Sequence, residues 1–140
     1  MSTIHPKLLN DSHVLGHFPL CHLLLSKDAN YPWFILVPNR DNISEIHQLS
    51  VLDQQQLMVE SSVLGERLMT ALKGDKLNVA ALGNVVPQLH VHVIVRYKKD
   101  VAWPRPIWGE APSGVYSSIG LIEMIEQVKK LALSNLTLID

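Results

Sequence analysis

The chain has 140 residues, of which 47% are hydrophobic and 18% are charged, and its formal net charge is -1. This size and composition predict a single globular domain over residues 1–140, and without a clustered excess of lysine and arginine we expect no nucleic-acid binding. No apolar run approaches the roughly 18 residues of a membrane span and the first residues do not resemble a secretory signal, so we expect a cytoplasmic protein without membrane association.

The first half of the chain predicts a short helix, a hairpin and a long helix. The short helix is expected near residues 5–10. Apolar runs at residues 20–25 and 33–37, separated by a turn-rich segment, indicate two buried strands that pair as a hairpin. A capping-box spacing begins at Ser50, and leucines follow at helical spacing as far as Gly74, which predicts a long helix that ends with Gly74 in the left-handed conformation.

The second half predicts two neighbouring strands and a final helix. Residues 76–82 and 88–96 alternate between apolar and other side chains, as is typical of antiparallel strands. Residues 119–133 carry apolar side chains on one side with glutamate and lysine on the other, which indicates an amphipathic helix. Because strands and helices do not alternate regularly, the predicted fold class is α+β, an antiparallel sheet with helices packed against it.

The second of these two strands combines a core row with an unusual polar row. Successive side chains of a strand point to opposite faces, so Leu89 and the three following valines form one row. The other row contains Gln88, His90, His92 and Arg96. A face turned to solvent would ordinarily carry threonine, lysine or glutamate at these positions, so the choice of histidine requires an explanation.

Three interpretations of His90 and His92 follow from the residue types. They could be structural or surface histidines. They could bind zinc, but a third ligand would have to come from a distant part of the chain, because no CxxC or HExxH motif accompanies them. They could also act on phosphate, since a neutral imidazole is nucleophilic near neutral pH and a neighbouring donor can neutralise charge on phosphoryl oxygens.

The segment QLHVHVIVR resembles the histidine triad (HIT) motif, His-φ-His-φ-His-φ-φ with φ apolar, and Gln88 stands where the first histidine usually lies. WFILVPNR and LNVAALGN are similar to two further strands of that family, and the resemblance covers about residues 15–110. The Gln-x-His-x-His sequence with a downstream WPxPxWG is similar to a variant of bacterial members. The resemblance implies a HIT-like α+β fold with about five antiparallel strands, one long helix and a C-terminal helix.

The resemblance also implies a nucleotidyl hydrolase or transferase that acts on a nucleoside phosphoramidate or a dinucleoside polyphosphate, needs no metal or cofactor and forms a homodimer. His90 would be the nucleophile that carries a nucleotidyl intermediate, and His92 would contact the phosphate or the leaving group. Gln88 would donate from its amide to a phosphoryl oxygen, but it cannot act as a general acid. The family's ribose-binding position falls near Leu25 or Ser26.

Four further residues are candidate substrate contacts: Asn84, Arg96, Trp103 and Trp108. Asn84 keeps an amide in the loop before the motif, where Val85 replaces the hydroxyl residue of many members. Arg96 matches a common basic residue after the motif. The two tryptophans would wall the pocket or contact a second subunit, although a packed loop is the simpler interpretation. The alternative function is a nucleotide-binding module with little turnover, which the loss of the first histidine and of the loop hydroxyl favours.

Overall fold

The computed structural model describes residues 3–139, which contain one six-stranded antiparallel sheet and three α-helices. The strands are β1 (Ser12–His17), β2 (Cys21–Ser26), β3 (Trp33–Pro38), β4 (Lys76–Ala80), β5 (Val91–Arg96) and β6 (Thr137–Leu138). The helices are α1 (Pro6–Asp11), α2 (Val51–Leu72) and α3 (Ser118–Lys130), with a short 3-10 helix at Ile46–Gln48. Across the sheet the strands run in the order β4-β5-β3-β2-β1-β6. The predicted α+β class, the antiparallel sheet and the two principal helices are confirmed.

The long helix α2 begins where the sequence places its cap. The Ser50 hydroxyl accepts a hydrogen bond from the backbone N–H of Asp53 at 3.1 Å, which is one half of the predicted capping box. The Asp53 carboxylate instead binds the Arg40 guanidinium, at 2.7 and 3.1 Å. At the other end Lys73 adopts the left-handed conformation (φ 53°) that was expected of Gly74. Gly74 is needed for space instead, because a Cβ there would collide with neighbouring side chains.

Strands β1 and β5 differ from the sequence-based expectation. β1 lies in a segment that Gly16 and Pro19 interrupt, where no strand was predicted. Gly16 lies inside β1, and its missing side chain allows the β6 backbone at Thr137 to approach closely. β5 is shorter than predicted, because it begins at Val91 and leaves Gln88 outside the strand. With the unpredicted β1 and β6, the sheet has six strands where about five were expected.

The main core lies between one face of the sheet and helices α2 and α3. The predicted core row of β5, which begins with Leu89, is buried in it. The opposite face is covered by α1 through Leu8 and by the segment after β5 through Ile107. His90 and His92 lie on this second face, away from both large helices. Within residues 3–139, no helix combines the length and the apolar character needed to cross a membrane.

Candidate functional site

His90 and His92 lie together at the beginning of β5. Their ring centroids are 4.9 Å apart and the ring planes meet at 74°. The two residues are only 7% and 6% exposed, yet both border a cavity of about 380 Å³. Because the main core fills the other face of the sheet, the two rings are buried by the walls of a cavity and not by core packing.

The cavity lies between the sheet and the segments that cover its second face. Its wall is mostly apolar, and its volume falls within the range of small-molecule sites. Ser12 and Ser26, opposite each other on β1 and β2, add two hydroxyl groups to the wall. Two of the predicted substrate contacts, Asn84 and Trp108, border the cavity. Its lining also includes Lys7, Leu8, Asp11, Trp33, Ile35 and Val86.

The backbone before β5 orients the His90 ring. Nδ1 of His90 lies 2.7 Å from the carbonyl oxygen of Gln88. A carbonyl oxygen can only accept a hydrogen bond, so Nδ1 carries a proton, and in the neutral imidazole Nε2 then keeps its lone pair. No hydrogen bond to this Nε2 is found among residues 3–139. The nitrogen that could attack an electrophile is therefore free of protein partners.

Three aromatic rings surround His92. The Trp33 indole Nε1–H donates a hydrogen bond to Nδ1 of His92 at 2.9 Å. Trp108 meets the same imidazole edge-on, with a centroid distance of 5.0 Å, and His90 is the third neighbour. Burial, together with the adjacent His90, lowers the pKa of His92 to about 4. The His92 ring is therefore neutral near pH 7.

Trp33 is a site residue that sequence patterns do not identify. It opens the apolar run of β3 and looks like an ordinary buried strand residue. Its place beside His92 depends on the pairing of β3 with β5, in which Trp33 lies opposite Ile94. The alternation of β3, which places Trp33 and Ile35 on one face, is the only signal in the sequence, and it does not specify the neighbouring strand.

The Gln88 side chain binds the N-terminal segment instead of bordering the cavity. Its Oε1 accepts a hydrogen bond from the His5 backbone N–H at 2.8 Å, and its Nε2 donates to the Thr3 carbonyl oxygen at 3.0 Å. Since Gln88 precedes β5, strand alternation does not determine the direction of its side chain. A contact between its amide and a phosphoryl oxygen stays a prediction, because the side chain is held by these two hydrogen bonds and does not border the cavity.

Arg96 and Trp103 lie in a separate cluster at the far end of β5. Arg96 is 1% exposed, and its guanidinium donates to the Asp100 carboxylate at 2.7 and 3.0 Å and to Asn78 at 2.8 Å. The rings of Tyr31 and Trp103 lie 5.7 and 5.6 Å from the guanidinium carbon. Neither Arg96 nor Trp103 borders the cavity, so the predicted substrate contacts by these two residues would require the cluster to open.

The zinc interpretation of the two histidines finds little support in the donor arrangement. Within the part of the chain that the structure describes, no three His, Cys, Asp or Glu side chains are grouped so that they could hold a metal ion. His90 and His92 therefore have no third protein ligand nearby among residues 3–139.

A second cavity, of about 360 Å³, lies next to the first, and His90 borders both. Leu82 and Gly83 are the other residues that the two cavities share. The second cavity is more polar than the first. Its further lining includes Ser44, Glu45, His47 and Gln54. The His90 ring thus lies between the apolar first cavity and the more polar second cavity.

Comparisons with known proteins identify the family of the chain. The family model described as the HIT domain matches residues 7–99. A histidine triad protein from Marinobacter aquaeolei VT8 is 45% identical, with a TM-score of 0.92 over 96% of this chain and 98% of that chain. A histidine triad protein from Bradyrhizobium japonicum is 43% identical, with a TM-score of 0.91 over 94% of this chain and 98% of that chain. No curated protein matches the chain. The family match and the two solved structures together show that the chain belongs to the histidine triad (HIT) family.

Proposed function

We propose that the protein is a nucleotidyl hydrolase or transferase that cleaves a nucleoside phosphoramidate or a dinucleoside polyphosphate through a covalent intermediate on His90. The observation that carries the proposal is the 2.7 Å hydrogen bond from His90 Nδ1 to the Gln88 carbonyl, which leaves the Nε2 lone pair free beside a cavity. HIT proteins are generally nucleotide-binding proteins or hydrolases, which supports the substrate class.

The proposed reaction has two steps. In the first, His90 Nε2 forms a bond to the α-phosphorus, the bond from phosphorus to the leaving nitrogen or oxygen breaks, and the leaving group takes a proton from water. The imidazole becomes cationic, and the Gln88 carbonyl stabilises it through the Nδ1–H. In the second step water or another acceptor attacks phosphorus and gives up a proton to solvent, the nitrogen–phosphorus bond breaks, and the nucleotide leaves while His90 returns to its neutral form. No step requires a metal ion.

The apolar cavity supports a nucleoside as the part of the substrate that is bound. Leu8, Ile35 and Val86 would contact the base, since flat aromatic groups bind well to apolar walls. Ser26 lies in the same wall, in the region where the family's ribose-binding position falls. A serine offers a neutral hydroxyl in place of a charged group, so we expect a weaker contact with the sugar than an acidic residue would provide.

Adduct detection tests the proposal directly. The protein is incubated with adenosine phosphoramidate or a diadenosine polyphosphate and quenched in denaturant without acid. Mass spectrometry should then find a nucleotidyl group on His90, and free nucleotide should accumulate even with a chelator present. In His90→Asn both signals should fall by at least about 1,000-fold, because the nucleophile is gone. His17→Asn, at an exposed position outside the cavity, is the matched control and should turn over like the wild type.

Undiminished turnover in His90→Asn would contradict the proposal. Complete loss of wild-type activity on chelation would point to a metal-dependent reaction instead. A third outcome, an adduct on another residue, would keep the reaction class and reject His90 as the nucleophile.

A nucleotide-binding protein with little turnover is the second candidate function. The position of Gln88 favours it, because the side chain is bound to the N-terminal segment and cannot supply a proton to a leaving group. Calorimetry would then detect nucleotide binding, while neither an adduct nor released product would appear with any of the substrates tested.

We also propose that the protein forms a homodimer through β4 and the outer side of α2. β4 ends the sheet, so its outer edge has no neighbouring strand among residues 3–139. On the side of α2 that faces away from the core, Leu52 is 76% and Val59 is 51% exposed. In a dimer with a two-fold axis, the β4 edge of one copy would pair with the β4 edge of the other. The exposed apolar side chains of α2 in the two copies would then cover each other.

Sedimentation velocity tests the dimer. The wild-type protein should sediment at twice the mass of one chain. The double variant Leu52→Glu and Val59→Glu should sediment as a folded monomer, because both residues are exposed and neither packs in the core. Lys27→Glu, at an exposed position directly after β2, which two strands separate from β4, should remain dimeric. A wild-type monomer at high concentration would rule the dimer out.

A further inference from the structure

The Trp33 indole is placed to determine where the proton lies on His92. An indole N–H can only donate a hydrogen bond, and the acceptor 2.9 Å away is Nδ1 of His92. That nitrogen must therefore present its lone pair. A neutral imidazole has one protonated nitrogen, so the proton of His92 lies on Nε2.

The two neighbouring histidines consequently have opposite tautomers. His90 donates from Nδ1 to the Gln88 carbonyl and keeps the lone pair on Nε2. His92 accepts at Nδ1 and presents an N–H group at Nε2. With ring centroids 4.9 Å apart, one ring offers an attacking nitrogen and the other offers a neutral donor to a phosphoryl oxygen. The same tautomer on both rings would give two nucleophiles or two donors.

Packing holds the Trp33 ring, so the direction of its N–H is well determined. Trp33 is the first residue of β3 and lies opposite Ile94 in the pairing of β3 with β5. Trp108 meets the indole edge-on, at a centroid distance of 6.1 Å and an angle of 88°. The Trp33 ring also packs against two clusters of buried apolar side chains, and a side chain held in this way is suited to orient a neighbour.

We propose that Trp33 is a positioning residue, whose indole N–H keeps His92 in the tautomer that donates from Nε2 while His90 attacks. The catalytic part of this inference rests on the proposed function, whereas the tautomer is a property of the protein alone. Trp33 acts only through His92 in this role.

Nitrogen NMR of the histidine rings at neutral pH tests the inference. In the wild-type protein His92 should show a protonated Nε2, an unprotonated Nδ1 and a scalar coupling across the hydrogen bond from Trp33. Trp33→Phe keeps an aromatic ring and removes the donor, so the two tautomers of His92 should mix. With adenosine phosphoramidate, kcat should then fall by about 10-fold while KM changes little, because the lost donor acts on the developing charge.

Trp108→Phe is the matched control for the tautomer. Trp108 packs against the same imidazole, and no hydrogen bond joins the two side chains, so His92 should keep its wild-type tautomer whatever happens to KM. Loss of the tautomer in both tryptophan variants would assign the effect to packing and overturn the role of the Trp33 N–H.

Two further outcomes would overturn the inference. One is a wild-type spectrum with the proton on Nδ1 of His92, which decides the matter even if Trp33→Phe fails to fold. The other is a Trp33→Phe protein with mixed tautomers and unchanged kcat. The predicted tautomer without any adduct on His90 would reject the proposed reaction, and the catalytic role of Trp33 with it, while the hydrogen-bonding assignment would hold.

Discussion

His92 and Arg96 lie on the same face of β5, and each is flanked by two tryptophan or tyrosine rings. They differ in whether a side-chain nitrogen remains free to bind a ligand. The Arg96 guanidinium donates to Asp100 and Asn78 and is sealed from solvent. The His92 imidazole is bound at one nitrogen by Trp33, and no residue between 3 and 139 binds the other. Similar surroundings therefore produce a structural cluster at one end of the strand and a candidate site at the other.

Arg96 and His92 differ in this way because different segments cover the two ends of this face of β5. At the Arg96 end the strand is followed, four residues later, by Asp100, whose carboxylate accepts hydrogen bonds from the guanidinium and from backbone N–H groups, including that of Trp103. At the His92 end the cover consists of α1 and loop residues, which leave a cavity. A buried cation is stable only when its donors are satisfied, whereas a neutral imidazole tolerates one free nitrogen beside a cavity.

The largest expected effect is a loss of folding stability when the Arg96 end of β5 is altered. Arg96→Met removes the cation and leaves the Asp100 carboxylate, 4% exposed, without its charge partner. The free energy of unfolding should fall by about 3–5 kcal/mol. His92→Gln should cost clearly less, because it removes only one neutral hydrogen bond. Urea denaturation measures both, and equal losses would show that the two ends are energetically alike.

A smaller effect is expected on the pH dependence of stability at the His92 end. Burial lowers the pKa of His92 from 6.5 to about 4 in the folded protein. Between these values the unfolded chain binds a proton that the folded protein does not, so stability falls as the pH falls from 6.5 towards 4. The contribution of His92 should reach about 3 kcal/mol at the acid end of this window.

The pH effect has to be measured as a difference between two proteins. Burial also lowers the pKa of His13 and His22, which destabilises the fold over the same acid range. Urea denaturation at several pH values gives the free energy of unfolding as a function of pH. This free energy should fall less steeply towards acid pH in His92→Gln than in the wild type. Identical slopes would mean that His92 is not held neutral in the folded protein.

The smallest predicted effect concerns Gln88. Gln88→Glu keeps an acceptor for the His5 N–H and loses the donor to the Thr3 carbonyl, which should cost about 1 kcal/mol. Amide exchange of the N-terminal segment should accelerate. Gln54→Glu removes a comparable bond to the Leu49 carbonyl and should leave that exchange unchanged. Unaltered exchange in Gln88→Glu would show that these hydrogen bonds do not hold the segment.

The strand, the core row and the adjacent histidines could be predicted because period-two alternation is a local property. Leu89 and the valines that follow it are buried as the pattern indicates. The alternation failed at Gln88, since the strand starts three residues later and a residue in a bend can point in any direction. Alternation also could not show that Arg96 belongs to a structural cluster and the histidines to a cavity. It places all three side chains on one face of the strand, but it does not identify the side chains that they contact.

The rest of the site depends on contacts between distant parts of the sequence. Trp33 reaches His92 only through the pairing of β3 with β5, which no single strand specifies. β1 was missed because Gly16 resembled an interruption, although the close approach of β6 requires a glycine there. In each case the decisive neighbour is remote in sequence, and one sequence supplies no distance between remote residues.

The link between Gln88 and the N-terminal segment has a practical consequence for work on this protein. Thr3 and His5 are hydrogen-bonded to the residue whose carbonyl orients His90, so a peptide fused at the N-terminus would begin close to the backbone beside the proposed nucleophile. The last strand, β6, lies at the sheet edge farthest from β4 and is separated from β5 by three strands. Purification tags and surface immobilisation for the assays above are therefore better placed at the C-terminus.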